Sequence, residues 1–274
     1  MSQWIALEGA VNVRDVGGIS ISGGGAIRPR RLIRADNLVD LSLRDVEVLV
    51  DELGVRSVSD LRTSHEVRAE GIGPLKELAH VAIEHNSLFS EVGENTDAAA
   101  AEGPDEDDAA ANEVLLPWQV PGGARDYASV GAVEVYWRYL LDRPDSVVAT
   151  LRLIAHADGA TIVHCAAGKD RTGVVVALAL SAVGADRAEI AADFALTAER
   201  LDLIFARLRR SPTYEKDVAE GTRDLHVPRA ATMLALLERL DHRGGGVQSW
   251  LQRHRWSADD QSALVRSLVE DETT

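Results

Sequence analysis

Apolar residues from Leu43 onward recur at helical spacing, at Leu43, Val46, Leu49 and Val50, until Gly54 stops the pattern. Ser42, with Asp45 three positions later, forms a capping box at the start of this run. The spacing therefore predicts a helix that leads into Val55-Arg56-Ser57-Val58-Ser59-Asp60-Leu61, a short run bounded by glycine and rich in β-branched residues, as a buried strand is. His80 to Ile83 is a second predicted strand, and Thr161 to Val163 a third that ends directly at His164. A helix carrying Tyr136, Trp137 and Leu140 is predicted before Pro144, and another through Val147, Leu151 and Ile154 as far as Gly159. Val174 to Val183 is apolar on all sides, and a helix without a polar face is a buried one. From the capping box at Asp186 and Glu189 onward the chain reads as helical, with breaks near Thr197, Pro212, Pro228, 244 to 246 and Ser257.

Strands set among helices indicate an α/β fold with a mainly parallel central sheet flanked by helices. Residues 1 to 40 are dense in glycine and arginine and predict an irregular segment. Between Gly93 and Glu113 the composition shifts to alanine, aspartate, glutamate, glycine and proline. So little apolar surface cannot offset the entropy of ordering, and the composition predicts a mobile acidic loop at 93 to 113. The expectation is one domain over residues 1 to 274, with that loop as an insertion.

The 274 residues include 46% hydrophobic and 27% charged positions, enough to bury a full core. A formal charge of -15 argues against a nucleic-acid partner, which requires a basic face to displace counterions. Charges such as Arg187 and Asp193 interrupt the richest apolar stretches, so no membrane span is predicted. The start lacks a secretory pattern, and the single cysteine fits a reducing compartment, so the expected location is cytoplasmic, with export without a recognisable signal peptide left open. Oligomeric state is not legible.

That cysteine lies in His164-Cys165-Ala166-Ala167-Gly168-Lys169-Asp170-Arg171-Thr172-Gly173, between the third strand and the buried helix. Ligand chemistry in a parallel sheet belongs at the carboxyl ends of strands, where Cys165 stands. The first amides of a helix have no intrahelical partner, so Ala166, Ala167, Gly168, Lys169, Asp170 and Arg171 are expected to form an anion cup with the dipole behind it. Such a cup favours a thiolate, which makes Cys165 a candidate nucleophile. Arg171 can return across the loop to grip two phosphoryl oxygens, and Thr172 can donate its hydroxyl to the sulfur. A nucleotide-binding loop is excluded, because Val163 stands where its first glycine belongs and Asp170 follows the lysine where Ser or Thr would hold magnesium. His65-Glu66 lacks the second histidine of a zinc motif, so no metal ligand set is read.

HCAAGKDRTG resembles the HCxxGxxR(S/T) signature of protein tyrosine phosphatases, and its GKDRTG form is similar to a bacterial group with tyrosine and phosphoinositide phosphatase activity. Asn12-Val13-Arg14-Asp15-Val16-Gly17-Gly18 resembles that group's NFRDLGG element, with Val13 in place of an aromatic. Ile27 to Ala35 echoes its arginine-rich segment, Asp60-Leu61-Arg62 its DLR motif, and Gly244 to Leu251 its closing helix start. The resemblance implies a cysteine-phosphatase fold with a lid-like insertion, where the acidic loop falls. It implies a phosphocysteine intermediate, no metal or organic cofactor, and a phosphorylated protein or a phosphoinositide as substrate.

The leaving oxygen needs a proton from a carboxylic acid. Asp170 is the first candidate, as the resembling group suggests, and Asp60, at the end of another strand, is the second. Asp60 also reads as a hydrogen-bond partner of Arg62 or of a loop amide. His164 is expected to tune the cysteine or to be a satisfied core histidine. Lys169 reads either as a selector of multiply phosphorylated substrates or as a surface lysine. Arg28, Arg30, Arg31 and Arg34 could extend the attracting field, or be surface charges. Two other functions stay open at this point: a non-catalytic phosphate-binding module and a sulfurtransferase.

Overall fold

The computed structural model describes residues 2–89, 131–215 and 223–270. The acidic loop expected at 93 to 113 lies outside the described residues. In chain order the elements are β1 (Gln3–Trp4), β2 (Arg14–Asp15), β3 (Ala26–Ile27), β4 (Leu32–Ala35), α1 (Leu43–Glu47), β5 (Val55–Asp60), α2 (Ser64–Glu70) and β6 (Ala82–His85). There follow α3 (Ala132–Asp142), α4 (Pro144–His156), β7 (Ala160–His164), α5 (Asp170–Ala182), α6 (Arg187–Leu196) and α7 (Leu201–Leu208). The chain then forms α8 (Ala230–Gly244), α9 (Gly246–Arg253), α10 (Ala258–Leu268) and β8 (Val269–Glu270).

The main sheet runs β1-β2-β4-β7-β5-β6, while β3 and β8 form a separate two-stranded ladder. From β4 to β6 every pairing is parallel, and β1 and β2 add an antiparallel edge. The α/β expectation holds, with one difference: residues 1 to 40 are not irregular but supply four strands, one of them next to the centre of the sheet. Strands of two residues leave no periodic signal. The longer β4 hides because its Leu-Ile-Arg-Ala pattern includes Arg34, a charge that reads as surface and lies 1% exposed in an internal ion pair.

Side chains alternate across β7: Ile162 joins a core cluster with Ile33, Val55, Val58 and Leu49, and Val163 joins the larger cluster on the other face. That larger cluster holds all of Val174 to Leu180 from α5, each at most 2% exposed. Burying each such aliphatic side chain contributes about 1.5–3 kcal/mol, which is why α5 has no polar face. The same burial fixes the helix N-terminus under the end of β7. Register places Ala35 of β4 and Asp60 of β5 on either side of His164, so residues following both strands flank the cysteine loop.

Candidate active site

The loop Cys165–Lys169 joins β7 to α5, which starts at Asp170. Its carbonyls are held from outside. The Asn37 amide donates to Ala166 O at 3.3 Å. Asn12 Nδ2 donates to Ala167 O at 2.9 Å and Gly168 O at 3.2 Å, while Arg34 Nη2 donates to Gly168 O at 2.9 Å and Lys169 O at 3.4 Å. In a trans peptide the following N–H points opposite to the carbonyl. The amides of Ala167, Gly168, Lys169 and Asp170 therefore face away from those donors, and the dipole of α5 adds to their field. Gly168 makes the turn at φ 63°, where a Cβ would lie 2.5 Å from Ala35 O.

The donors to this loop belong to one buried network. Asp193 of α6 accepts from Arg14 Nε at 2.8 Å and from Arg34 Nη1 at 2.6 Å. Arg14 Nη1 in turn donates to Asn12 Oδ1 at 2.9 Å, which orients the Asn12 amide toward the loop. Burial pushes the Asp193 carboxyl up, but the two guanidiniums override it and hold it at about 2. Burial and the charge of Arg34 lower Arg14 to about 10, still protonated at neutral pH. Within the arginine-rich segment, Arg34 is thus buried scaffold, while Arg30 is exposed. Arg34 supports the loop, Arg28 donates to Val269 O, Arg30 to Glu52 O, and Arg31 to Ala157 O and Ser267 Oγ.

Cys165 is 2% exposed, and its sulfur accepts from Thr172 Oγ1 at 3.2 Å. It lines a cavity of about 640 Å³ together with Ala166, Ala167, Lys169, Asp170 and Arg171, while Gly168, also expected in the cup, is not among the lining residues. Phe89, Tyr136, Phe205, Leu208 and Tyr214 are among its apolar and phenolic walls. Arg171 is fixed by Glu66 through a two-pronged ion pair, Nη1 to Oε2 at 2.7 Å and Nη2 to Oε1 at 2.9 Å, and Nη1 also reaches Leu61 O at 3.2 Å. Burial works against the Arg171 charge, and Glu66 overrides it, so the guanidinium holds its proton more tightly than usual. Burial likewise pushes Glu66 up, but Arg171, the Thr63 amide and the Tyr214 hydroxyl hold it below its ordinary value.

Glu66 escaped the sequence reading, where it served only to reject a zinc motif. Its detectable signal is a capping box at the start of α2: Thr63 Oγ1 accepts from the Glu66 amide at 3.1 Å, and Glu66 Oε2 accepts from the Thr63 amide at 2.7 Å. Helix α2 is thereby started by the carboxylate that holds Arg171.

Of the two candidate acids, Asp170 lines the cavity. The Tyr136 hydroxyl donates to its Oδ1, and Lys169 Nζ lies 3.4 Å from its Oδ2. Asp60 does not reach the cavity lining. It accepts from Arg62 Nη2 at 2.6 Å and from the Arg62 amide at 3.0 Å, which is the partner role and not the acid role. Burial would raise its carboxyl, but His164 and the Arg62 pair hold it well below the usual range. His164 Nε2 lies 3.6 Å from Asp60 Oδ1, and burial pushes the imidazole down to about 4, so the ring is neutral at pH 7. The hydrogen bond to the sulfur comes from Thr172; His164 faces Asp60. Lys169 is 8% exposed and donates to His226 O at 2.9 Å, which is not a surface position.

A sequence model described as the tyrosine phosphatase family matches residues 5–270. The chain is similar to the triple specificity protein phosphatase PtpB of Mycobacterium tuberculosis, 33% identical over 215 residues, 74% of this chain and 72% of that protein. It is 27% identical over 190 residues to a putative tyrosine-protein phosphatase, H16_A0669, of Cupriavidus necator, 69% of this chain and 61% of that protein. A tyrosine-protein phosphatase of Nostoc commune is 45% identical over 51 residues, 19% of this chain and 17% of the other. Joined to a cysteine and an arginine facing one anion cup, the match over nearly the whole chain means that this protein belongs to the tyrosine phosphatase family and is a protein-tyrosine phosphatase.

Proposed function

We propose that the chain hydrolyses phosphotyrosine in two in-line displacements through a phosphocysteine at Cys165. In the first, Cys165 Sγ bonds to phosphorus as the bond to the phenolic oxygen breaks, and Asp170 passes a proton to that oxygen. In the second, a water oxygen bonds to phosphorus, the S–P bond breaks with the electron pair returning to sulfur, and Asp170 takes the water's proton. Thr172 eases that departure through its hydrogen bond to the sulfur. The loop amides and Arg171 hold the equatorial oxygens, where the charge sits throughout.

One observation carries this reading: the sulfur lines the same cavity as Arg171 and Asp170, in a loop whose amides are turned inward by the pinning of its carbonyls. The cavity walls, with Tyr136, Phe205 and Tyr214, suit an aromatic ring above the phosphoryl group. A relative named for triple specificity supports extending the range to phosphoserine, phosphothreonine and phosphoinositides. A reducing, cytoplasmic setting suits a site that depends on one thiol.

The test is phosphate release from phosphotyrosine peptide, phosphoserine peptide and phosphoinositides by the wild-type chain and by Cys165→Ser, without added metal. Release that falls on the order of 10⁴-fold in the variant is the expected result. Phosphopeptide binding without release by the wild-type chain would replace the enzyme reading with a phosphate-recognition module.

A further inference from the structure

We propose that Tyr214 sets the phosphate affinity of this site, because its hydroxyl stands against the Arg171 nitrogen that a phosphoryl oxygen must reach. The proposal rests on the reading of Cys165 and Arg171 as the phosphate site.

A guanidinium presents two forks to an oxyanion, the end between Nη1 and Nη2 and the side between Nε and Nη2. Glu66 closes the end fork with one oxygen on each nitrogen, and Nη1 also serves Leu61 O. A phosphoryl group that takes two donors from Arg171 must use the side fork. Tyr214, which lines the cavity with Cys165, accepts from Nη2 at 2.9 Å. Its hydroxyl stands where the second phosphoryl oxygen would meet that nitrogen.

Two carboxylates on α2 keep the tyrosine there. Its hydroxyl donates to Glu66 Oε1, and three residues earlier Ser211 Oγ donates to Glu70 Oε1. Glu66 and Glu70 are one helical turn apart, so the segment from Ser211 to Tyr214 is fastened along one face of α2. Glu70 is itself oriented by Asn37 Nδ2 at 2.5 Å. Arg171 does not depend on the phenol for its place, since Glu66, Leu61 O and the Phe89 ring 5.4 Å away already fix it. Burial and Glu66 push the Tyr214 hydroxyl well above its ordinary value, so it meets the arginine as a neutral phenol.

A phosphate dianion is a stronger acceptor than a neutral phenol and displaces it. A singly charged or weakly accepting anion does so less well. The tyrosine thereby lowers affinity for all anions while favouring dianionic phosphoesters over monoanions such as sulfate esters.

Tyr214→Phe removes the competing oxygen and keeps the ring. The expected result on phosphotyrosine peptide is a KM about three- to tenfold lower, with kcat within about twofold, and a matching fall in the inhibition constant of inorganic phosphate. Ser211→Ala, which loosens the segment without touching Arg171, should shift both constants the same way by a smaller factor. Melting temperatures recorded for both variants separate these shifts from misfolding. Unchanged or raised KM and phosphate inhibition constants in both variants, with the wild-type chain active, would overturn the Tyr214 proposal alone. An inactive wild-type chain that also fails to bind inorganic phosphate would take the proposed function down with it.

Discussion

Arg171 is charged, buried and held by one carboxylate, so its partner is the most sensitive position outside the loop. Replacing Glu66 by glutamine keeps the shape but leaves a buried guanidinium without its counter-charge, a loss of about 3 kcal/mol in stability. The same change lets Arg171 drift from the cup, and a displacement near 1 Å lowers kcat/KM about a hundredfold. Steady-state kinetics and urea unfolding of Glu66→Gln check both; normal kcat/KM would show that Arg171 is positioned without it. At this scale legibility followed contiguity. Cys165, Arg171 and Thr172 fall within eight residues of chain, and their chemistry was readable from spacing. Tyr136 and Tyr214 reach the same cavity from distant segments, Glu66 reaches Arg171 from a third, and only the capping pattern around Glu66 left a trace. Asp60 was legible in two ways, as an acid and as a partner of Arg62, and its contacts are those of the partner.

Among the elements, the junction of β7 and α5 places the cup, and its tightest point is Gly168. An alanine there would adopt a backbone at φ 63° that L-residues avoid and would press against Ala35 O. Gly168→Ala should lower stability by about 2 kcal/mol, near 5 °C in Tm, and kcat/KM by at least about tenfold, since the amides on either side would turn. Thermal unfolding with kinetics on the same preparation checks this, and an active variant of unchanged Tm would mean that the turn tolerates a side chain. The buried α5 and the strand before it were legible because each is continuous and apolar. The first 40 residues were not, because their strands are short and two of their arginines, Arg14 and Arg34, are buried. An internal charge is invisible to hydrophobic patterning until its partner is known, and Asp193 follows Arg34 by 159 residues.

For the whole molecule, stability falls on acidification as buried groups held below their ordinary values take up protons, Asp60, Glu66, His164 and Asp193 among them. His164 is held near 4, below its ordinary value, so between pH ~6.5 and 4 the unfolded chain binds a proton that the folded chain refuses. Asp193, held near 2, repeats this between pH ~4 and 2. Both contributions are present at neutral pH and are lost as the pH falls, together on the order of a few kcal/mol. The urea midpoint should therefore decline from pH 7 to pH 3. The gap between wild type and Asp193→Asn should be widest above pH 5 and narrow below pH 4; a gap independent of pH would show that Asp193 is not held ionised by its two arginines. The one thiol of this chain has a further consequence, in redox chemistry. Peroxide would oxidise the Cys165 sulfur to a sulfenic acid, and a chain with no second cysteine cannot close that group into an internal disulfide. A small thiol from outside can condense with it, losing water, to give a mixed disulfide, and a second thiol must then attack that disulfide to release the Cys165 thiol; capture by a backbone nitrogen gives a sulfenamide that needs the same reduction. At 2% exposure the same burial that slows the oxidant also slows the rescuer, so an oxidised molecule would stay inactive until the cavity admits a reductant.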